Sequence, residues 1–140
     1  MQTFLPYDDF YKSAKCLDYR RLGKQRVEAK QIINLLEKHD NGIDISKLPW
    51  GNHPAVKMWI GYTIALKEYH DIIIKEWISR GYKNNMPLYN LRRGMTYTLP
   101  PWFGRKDFHD AHKSKPLQKD YRFYKKYKWN VSKNLEYKWG

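Results

Sequence analysis

Residues 12–36, KSAKCLDYRRLGKQRVEAKQIINLL, decide how the rest of this chain is read. Wound as a helix at about 100° per residue, the stretch brings Leu22, Ala29, Ile33 and Leu36 onto one face, an apolar seam confined to its second half. Continued toward the amino end, the seam runs into Asp18 and Gln25, with Arg21, Glu28 and Ile32 on the stripe beside it. A core-facing side that turns polar for two turns leaves charges poorly solvated unless partners or a ligand satisfy them, so this is a site candidate. The competing reading is structural: Arg21 with Asp18 or Gln25 has helical spacing and can be satisfied on a solvated face. Periodicity alone does not separate the two. The density of cation does, because Lys12, Lys15, Arg20, Arg21, Lys24, Arg26 and Lys30 stand against only Asp18 and Glu28. A helix stabilising only itself alternates signs; this one is arranged to meet an anion.

Upstream, MQTFLPY (residues 1–7) alternates too briefly for a strand and Pro6 blocks an early helix, which gives an extended arm. Asp8 or Asp9 caps a helix from near Phe10, with an interruption around Ser13, and Asp40-Asn41-Gly42 stops the main run. Gly23 within it costs about 1 kcal/mol relative to alanine and admits close approach of another backbone, protein or nucleic acid. Downstream, residues 43–51 form a loop with Trp50 packed at its end, and Asn52-His53-Pro54 opens a second helix with proline in the first turn. Val56, Trp59, Thr63, Leu66, His70, Ile73 and Trp77 recur at helical spacing, predicting one core helix to Arg80, roughly 40 Å long, stopped by Gly81. Trp59, Trp77 and His70 belong to that core. His53, at the helix start where amides and the dipole favour a phosphate, is a candidate contact to substrate or to a nucleic-acid backbone.

Residues 82–103 hold no regular element, and a loop this long, carrying Arg92 and Arg93, often binds something. Residues 107–115 predict a short helix with His109 and His112 on one side, a spacing that a metal tolerates but without an evident third ligand. Pro116 starts another short helix. From Tyr121 to Trp129 basic and aromatic residues alternate, which makes either a nucleic-acid edge bearing Lys125, Lys126 and Trp129 or a tail whose rings dock on the core. The expected fold is mainly α: a single compact domain over residues 1–140 with an extended arm, two long helices, a long loop and short carboxyl-terminal helices.

A chain of 140 residues can bury a core without staples. The lone Cys16 excludes an internal disulfide and a cysteine zinc site, suggests a reducing compartment, and has no local base to make it a nucleophile. A formal charge of +13 favours an acidic partner, and the sequence has neither a secretory leader nor an apolar run near membrane-spanning length. Nucleic acid ranks above a membrane surface. Twelve tyrosines and six tryptophans beside the cations suit stacking on bases.

The runs LDYRRLGKQRVE (17–28), WGNHPAVKMW (50–59) leading into WISRGY (77–82), and PPWFG with FHDAH (100–112), followed by the aromatic-basic tail, resemble the pyrimidine dimer DNA glycosylases, the endonuclease V type of phage repair enzyme, in a bacterial and viral branch. The resemblance implies a helical enzyme that binds duplex DNA containing a damaged or modified pyrimidine, displaces a nucleotide and cuts the glycosidic bond. The expectation is a monomer that needs no metal or cofactor and works inside the cell with DNA. In that family the terminal α-amine attacks the sugar C1′ and forms a Schiff base that permits strand cleavage by β-elimination. An α-amine, with an ordinary pKa near 7.7–8.0, is partly a free nucleophile at neutral pH. A carboxylate handles protons, and arginines hold the flanking phosphates. Here glutamine at position 2 is too large for removal of the initiator, so the amine belongs to Met1. An ungapped match puts the family's glutamate on Arg21, leaving Asp18 and Glu28, of which Glu28 is preferred because it ends the RLGKQRVE run. Arg20, Arg21, Lys24, Gln25 and Arg26 fall in the clamp region. The rivals are a DNA-binding module of the same fold without catalysis and a metal-dependent nuclease using His53, His109 and His112.

Overall fold

The computed structural model describes residues 1–92 and 94–140. Among the described residues there are six α-helices: α1 (Phe10–Cys16), α2 (Tyr19–Asp40), α3 (Pro54–Lys57), α4 (Thr63–Ser79), α5 (Lys106–Lys119) and α6 (Tyr121–Tyr124). Turns of 3₁₀ helix lie at Ile45–Lys47 and Lys125–Tyr127, and no strand occurs among the described residues. The fold is mainly α, as the helical periodicity requires. Helices α1 and α2 both pack on α4, and Leu22, Ala29, Ile33 and Leu36 of α2 are fully buried in one core with Leu66 and Ile73 of α4.

Residues 12–36 divide into two helices. Asp9 caps α1, accepting from Lys12 N at 2.9 Å, and the first break falls at Leu17-Asp18 rather than near Ser13. Extended backbone there lets Asp18 cap α2 in its turn. The long helix expected from Pro54 to Arg80 is likewise broken. Trp59, Ile60 and Tyr62 bond three residues back, Gly61 adopts φ +87°, and helix resumes at Thr63. Pro116 does not start a new helix but lies inside α5, which continues to Lys119 before Asp120 caps α6. Gly23 admits a side chain, not a backbone: a Cβ there would meet the Trp77 ring at 2.9 Å. Among the described residues, no helix is long and apolar enough to cross a membrane.

The amino-terminal arm is extended yet takes part in no sheet, and side chains from four helices and the tail satisfy its backbone. Glu28 accepts from Gln2 N (3.2 Å), and Gln25 both donates to Gln2 O (3.0 Å) and accepts from Phe4 N (2.6 Å). The Tyr137 hydroxyl donates to Thr3 O and the Tyr69 hydroxyl to Phe4 O. His112 Nδ1 accepts from Leu5 N (3.0 Å) while His109 Nδ1 donates to Leu5 O (2.8 Å), and Ser13 Oγ bridges Tyr7 N and O. Backbone groups removed from water need such partners. Here they also fix where the first residue lies.

Candidate functional site

The clamp delivers the start of the chain to the polar half of α2. Met1 is partly buried against the core, Gln2 N bonds Glu28, and the side chain of Glu28 is 12% exposed. Lys24, one turn earlier, stands 4.0 Å from Glu28. His53 caps α3 through Nδ1, which accepts from Ala55 N at 3.0 Å. Partial burial and then the charge of the terminal amine lower its pKa, and Glu28 opposes them, which sets amine, carboxylate and imidazole within one electrostatic neighbourhood. The rings of Trp50 and Trp139 stand edge-on to His53 at 5.5 and 5.3 Å.

Beside Glu28, a cleft of about 180 Å³ is lined by Gln2 and Phe4 of the arm, Arg20, Arg21, Lys24 and Gln25 of α2, and Lys119 of α5. Lys119 has its pKa lowered by burial and by the charges of Arg21 and Lys24, with Glu28 pulling the other way. Nothing local in the sequence marks Lys119, since α5 reaches the cleft only through the tertiary fold. A second cationic side of α2 carries Arg26, whose Nη1 donates to Asn84 (2.7 Å) and whose guanidinium lies over Trp77, and Lys30, bonded to the Tyr89 hydroxyl.

The two acids of the stretch are placed differently. Asp18 is buried, accepts from the Tyr124 hydroxyl, and pairs with Arg21 at 3.1 Å. Burial pushes its pKa up, but those bonds and the Arg21 charge outweigh that and keep the carboxyl below its ordinary range. Its oxygens are taken up in holding α2 to α6. Glu28 alone of the pair meets the arm.

Gln25 is 1% exposed and has both ends of its amide on the arm, so it positions the chain start instead of presenting a donor to DNA. Trp50 does not pack into the core but stands 59% exposed. Arg92 lines a separate depression with Glu68, Asp71 and Lys75, and Arg93 lies outside the described residues. Of the tail readings, the rings dock: Trp129 stacks on Tyr124 and Tyr127 and donates to the Tyr7 hydroxyl, while Lys125 and Lys126 are exposed. His70 is a core histidine bonded to Asp71, whose carboxylate also accepts from Tyr89 N and Asn90 N. Burial pushes the Cys16 thiol up to about 12.

The nuclease reading loses its ligands. His109 Nε2 accepts from Gly104 N and His112 Nδ1 from Leu5 N, while their other nitrogens donate to Leu5 O and Lys138 O, so the lone pairs a metal needs are occupied. Among the described residues no group of three His, Cys, Asp or Glu is placed to hold an ion.

A helical domain thus holds the start of its chain beside a carboxylate and a cationic cleft. The chain matches the pyrimidine dimer DNA glycosylase family over residues 1–90, and it belongs to that family. The match contains the arm, α2, His53 and α4. Neither the curated proteins nor the solved structures yielded a significant match.

Proposed function

We propose that the protein is a DNA repair glycosylase with abasic-site lyase activity, using the α-amine of Met1 as nucleophile and Glu28 as acid and base. The observation that supports this is the arm clamp, in which Gln25, Tyr69, His109, His112 and Tyr137 fix residues 2–5 and Glu28 accepts from Gln2 N, next to residue 1. A nucleophile held in one position beside its acid–base partner is what covalent chemistry by that terminus requires.

In this reading the amine lone pair forms a bond to C1′ as the bond from C1′ to the pyrimidine nitrogen breaks, its electron pair leaving with the base, which takes up a proton. The proton lost by the amine passes by way of Glu28 to the departing base, and opening of the sugar, with a proton from water taken up at O4′, gives the protonated imine. Glu28 then takes a C2′ proton as the electron pair expels the 3′ phosphate by β-elimination, and its charge stabilises the cationic sugar. Arg20, Arg21, Lys24 and Lys119 hold the neighbouring phosphates, and Arg26 meets the strand from the other side of α2.

Borohydride reduction on a duplex with an abasic site is the test. A covalent adduct is expected with the native chain and none after selective acetylation of the terminus or extension by one residue. No adduct, or one indifferent to blocking, overturns the amine mechanism, and incision of a cyclobutane-dimer duplex separates an enzyme from a module that only binds.

A further inference from the structure

The turn Leu48-Pro49-Trp50-Gly51 closes through a hydrogen bond from Gly51 N to Leu48 O at 3.0 Å. It has proline at the first central position and a positive φ at the second, where turns of this kind demand glycine or asparagine. Tryptophan occupies that second position, at φ +66°. For a bulky residue this is a strained outlier, the kind that concentrates at functional sites. Core burial does not compensate, because the ring is 59% exposed. Nor can the turn shift by one residue to relieve it: a Cβ at Gly51 would lie 1.6 Å from Ile45 O. His53 N to Trp50 O (3.0 Å) and Asn52 Nδ2 to Ser46 O (3.1 Å) brace the loop further. A rigid support thus holds an indole out into solvent.

Its place matters as much as its strain. The ring stands edge-on to His53, the residue that senses the charges of the terminal amine and Glu28. On the far side of His53 is Trp139. The exposed indole thus lies one ring away from Trp139, with His53 at the start of α3 between them.

We infer that Trp50 is a stacking wedge that binds a nucleobase of the opened duplex next to the displaced nucleotide. Displacing a nucleotide leaves a gap in the base stack, and a rigid apolar ring at that gap holds the distorted helix open. The inference rests on the glycosylase reading for the identity of the duplex, while its test needs no chemistry. Binding of the native chain, W50G and W50F is compared on a duplex with a stable tetrahydrofuran abasic analogue and on the matched intact duplex, with 2-aminopurine opposite the analogue. W50G removes the ring and the left-handed penalty together, so its thermal midpoint is at or above the native one and misfolding is not at issue. Its preference for the analogue over intact DNA is expected to fall by about 5- to 150-fold, with the 2-aminopurine response lost and W50F recovering most of both. Unchanged preference, or equal weakening on both duplexes, overturns the wedge, the second outcome making Trp50 part of general duplex binding. Failure of the parent reading is seen separately, as absence of the borohydride adduct from the native chain.

Discussion

Glu28 and Asp18 lie on the same helix stretch and share a formal charge, yet their surroundings assign them different work. Glu28→Gln keeps an oxygen to accept from Gln2 N (3.2 Å in the native chain), so its stability stays within about 0.5 kcal/mol. Loss of an acid–base carboxylate is expected to slow adduct formation by about 10²–10⁴-fold, read in single-turnover trapping. Asp18→Ala acts on the fold instead, removing the α2 cap and leaving the buried Tyr124 hydroxyl without its acceptor, for a loss of about 2–4 kcal/mol in a urea titration. Sequence spacing narrowed the choice to these two acids. It could not decide, because Tyr124, 106 residues away, is what occupies Asp18. Gly23 shows the same limit at closer range. Glycine to alanine in a helix ordinarily stabilises by about 1 kcal/mol, but Trp77 is stacked on Tyr19 and bonded to Lys83 O at 2.7 Å, so the ring cannot give way. Gly23→Ala is therefore expected to lower the thermal midpoint, and an unchanged or raised midpoint counts against the fit of α2 on Trp77.

At the scale of elements, the arm and α2 form one device. Extended backbone at residues 1–7 was legible from Pro6 and the absence of any sustained period. Its partners were not, since side-chain bonds to backbone spanning 21 (Gln25), 65 (Tyr69), 107 (His112) and 134 (Tyr137) residues leave no periodic trace. The histidine pair invited a metal reading for the same reason: three-residue spacing reports a shared helix face, not what the face meets. The first helix break was legible but misplaced, expected around Ser13 and found at Leu17-Asp18, while the second was hidden by Gly61 inside a run with good periodicity. The clamp carries a pH dependence whose sign follows from burial. His112 is pushed down to about 3 and His109 is lowered too, burial being the main cause in each. The unfolded chain takes up protons near 6.5 while the native fold refuses them, so stability is full above that pH and falls as pH drops toward 3. For His112 alone the loss at pH 5 is about 2 kcal/mol relative to pH 7.5. Urea midpoints at the two pH values should differ accordingly, and His112→Gln, which cannot take the proton, should flatten the difference while lowering stability at pH 7.5.

Over the whole molecule, the distribution of charge argues for a polyanion more strongly than the total does. Helix α2 has no acid in its first turn and carries Arg20, Arg21, Lys24 and Arg26 through its amino-terminal half, where the dipole disfavours cations. That arrangement costs stability in the free protein and is relieved by an anion at the same end. Lys119 extends the cluster from α5; burial first, and then the charges of Arg21, Lys24 and Lys115, lower its pKa, and a phosphate would offset the second of these. If Arg20, Arg21, Lys24 and Lys119 each neutralise one phosphate, they contribute a slope of about −3.6 to log affinity against log salt. Lys119→Gln should then reduce the magnitude of the slope by about 0.9 and weaken intact and damaged duplexes alike, since phosphate contacts carry no lesion information. Arg92→Gln is the control, because Arg92 shares its depression with Glu68 and Asp71 and sits outside the cleft. A Lys119→Gln slope equal to the native one places α5 outside the footprint and confines the phosphate path to α2. A slope altered by Arg92→Gln instead moves the duplex across to the long loop, and the terminus beside Glu28 is then no longer under the bound strand.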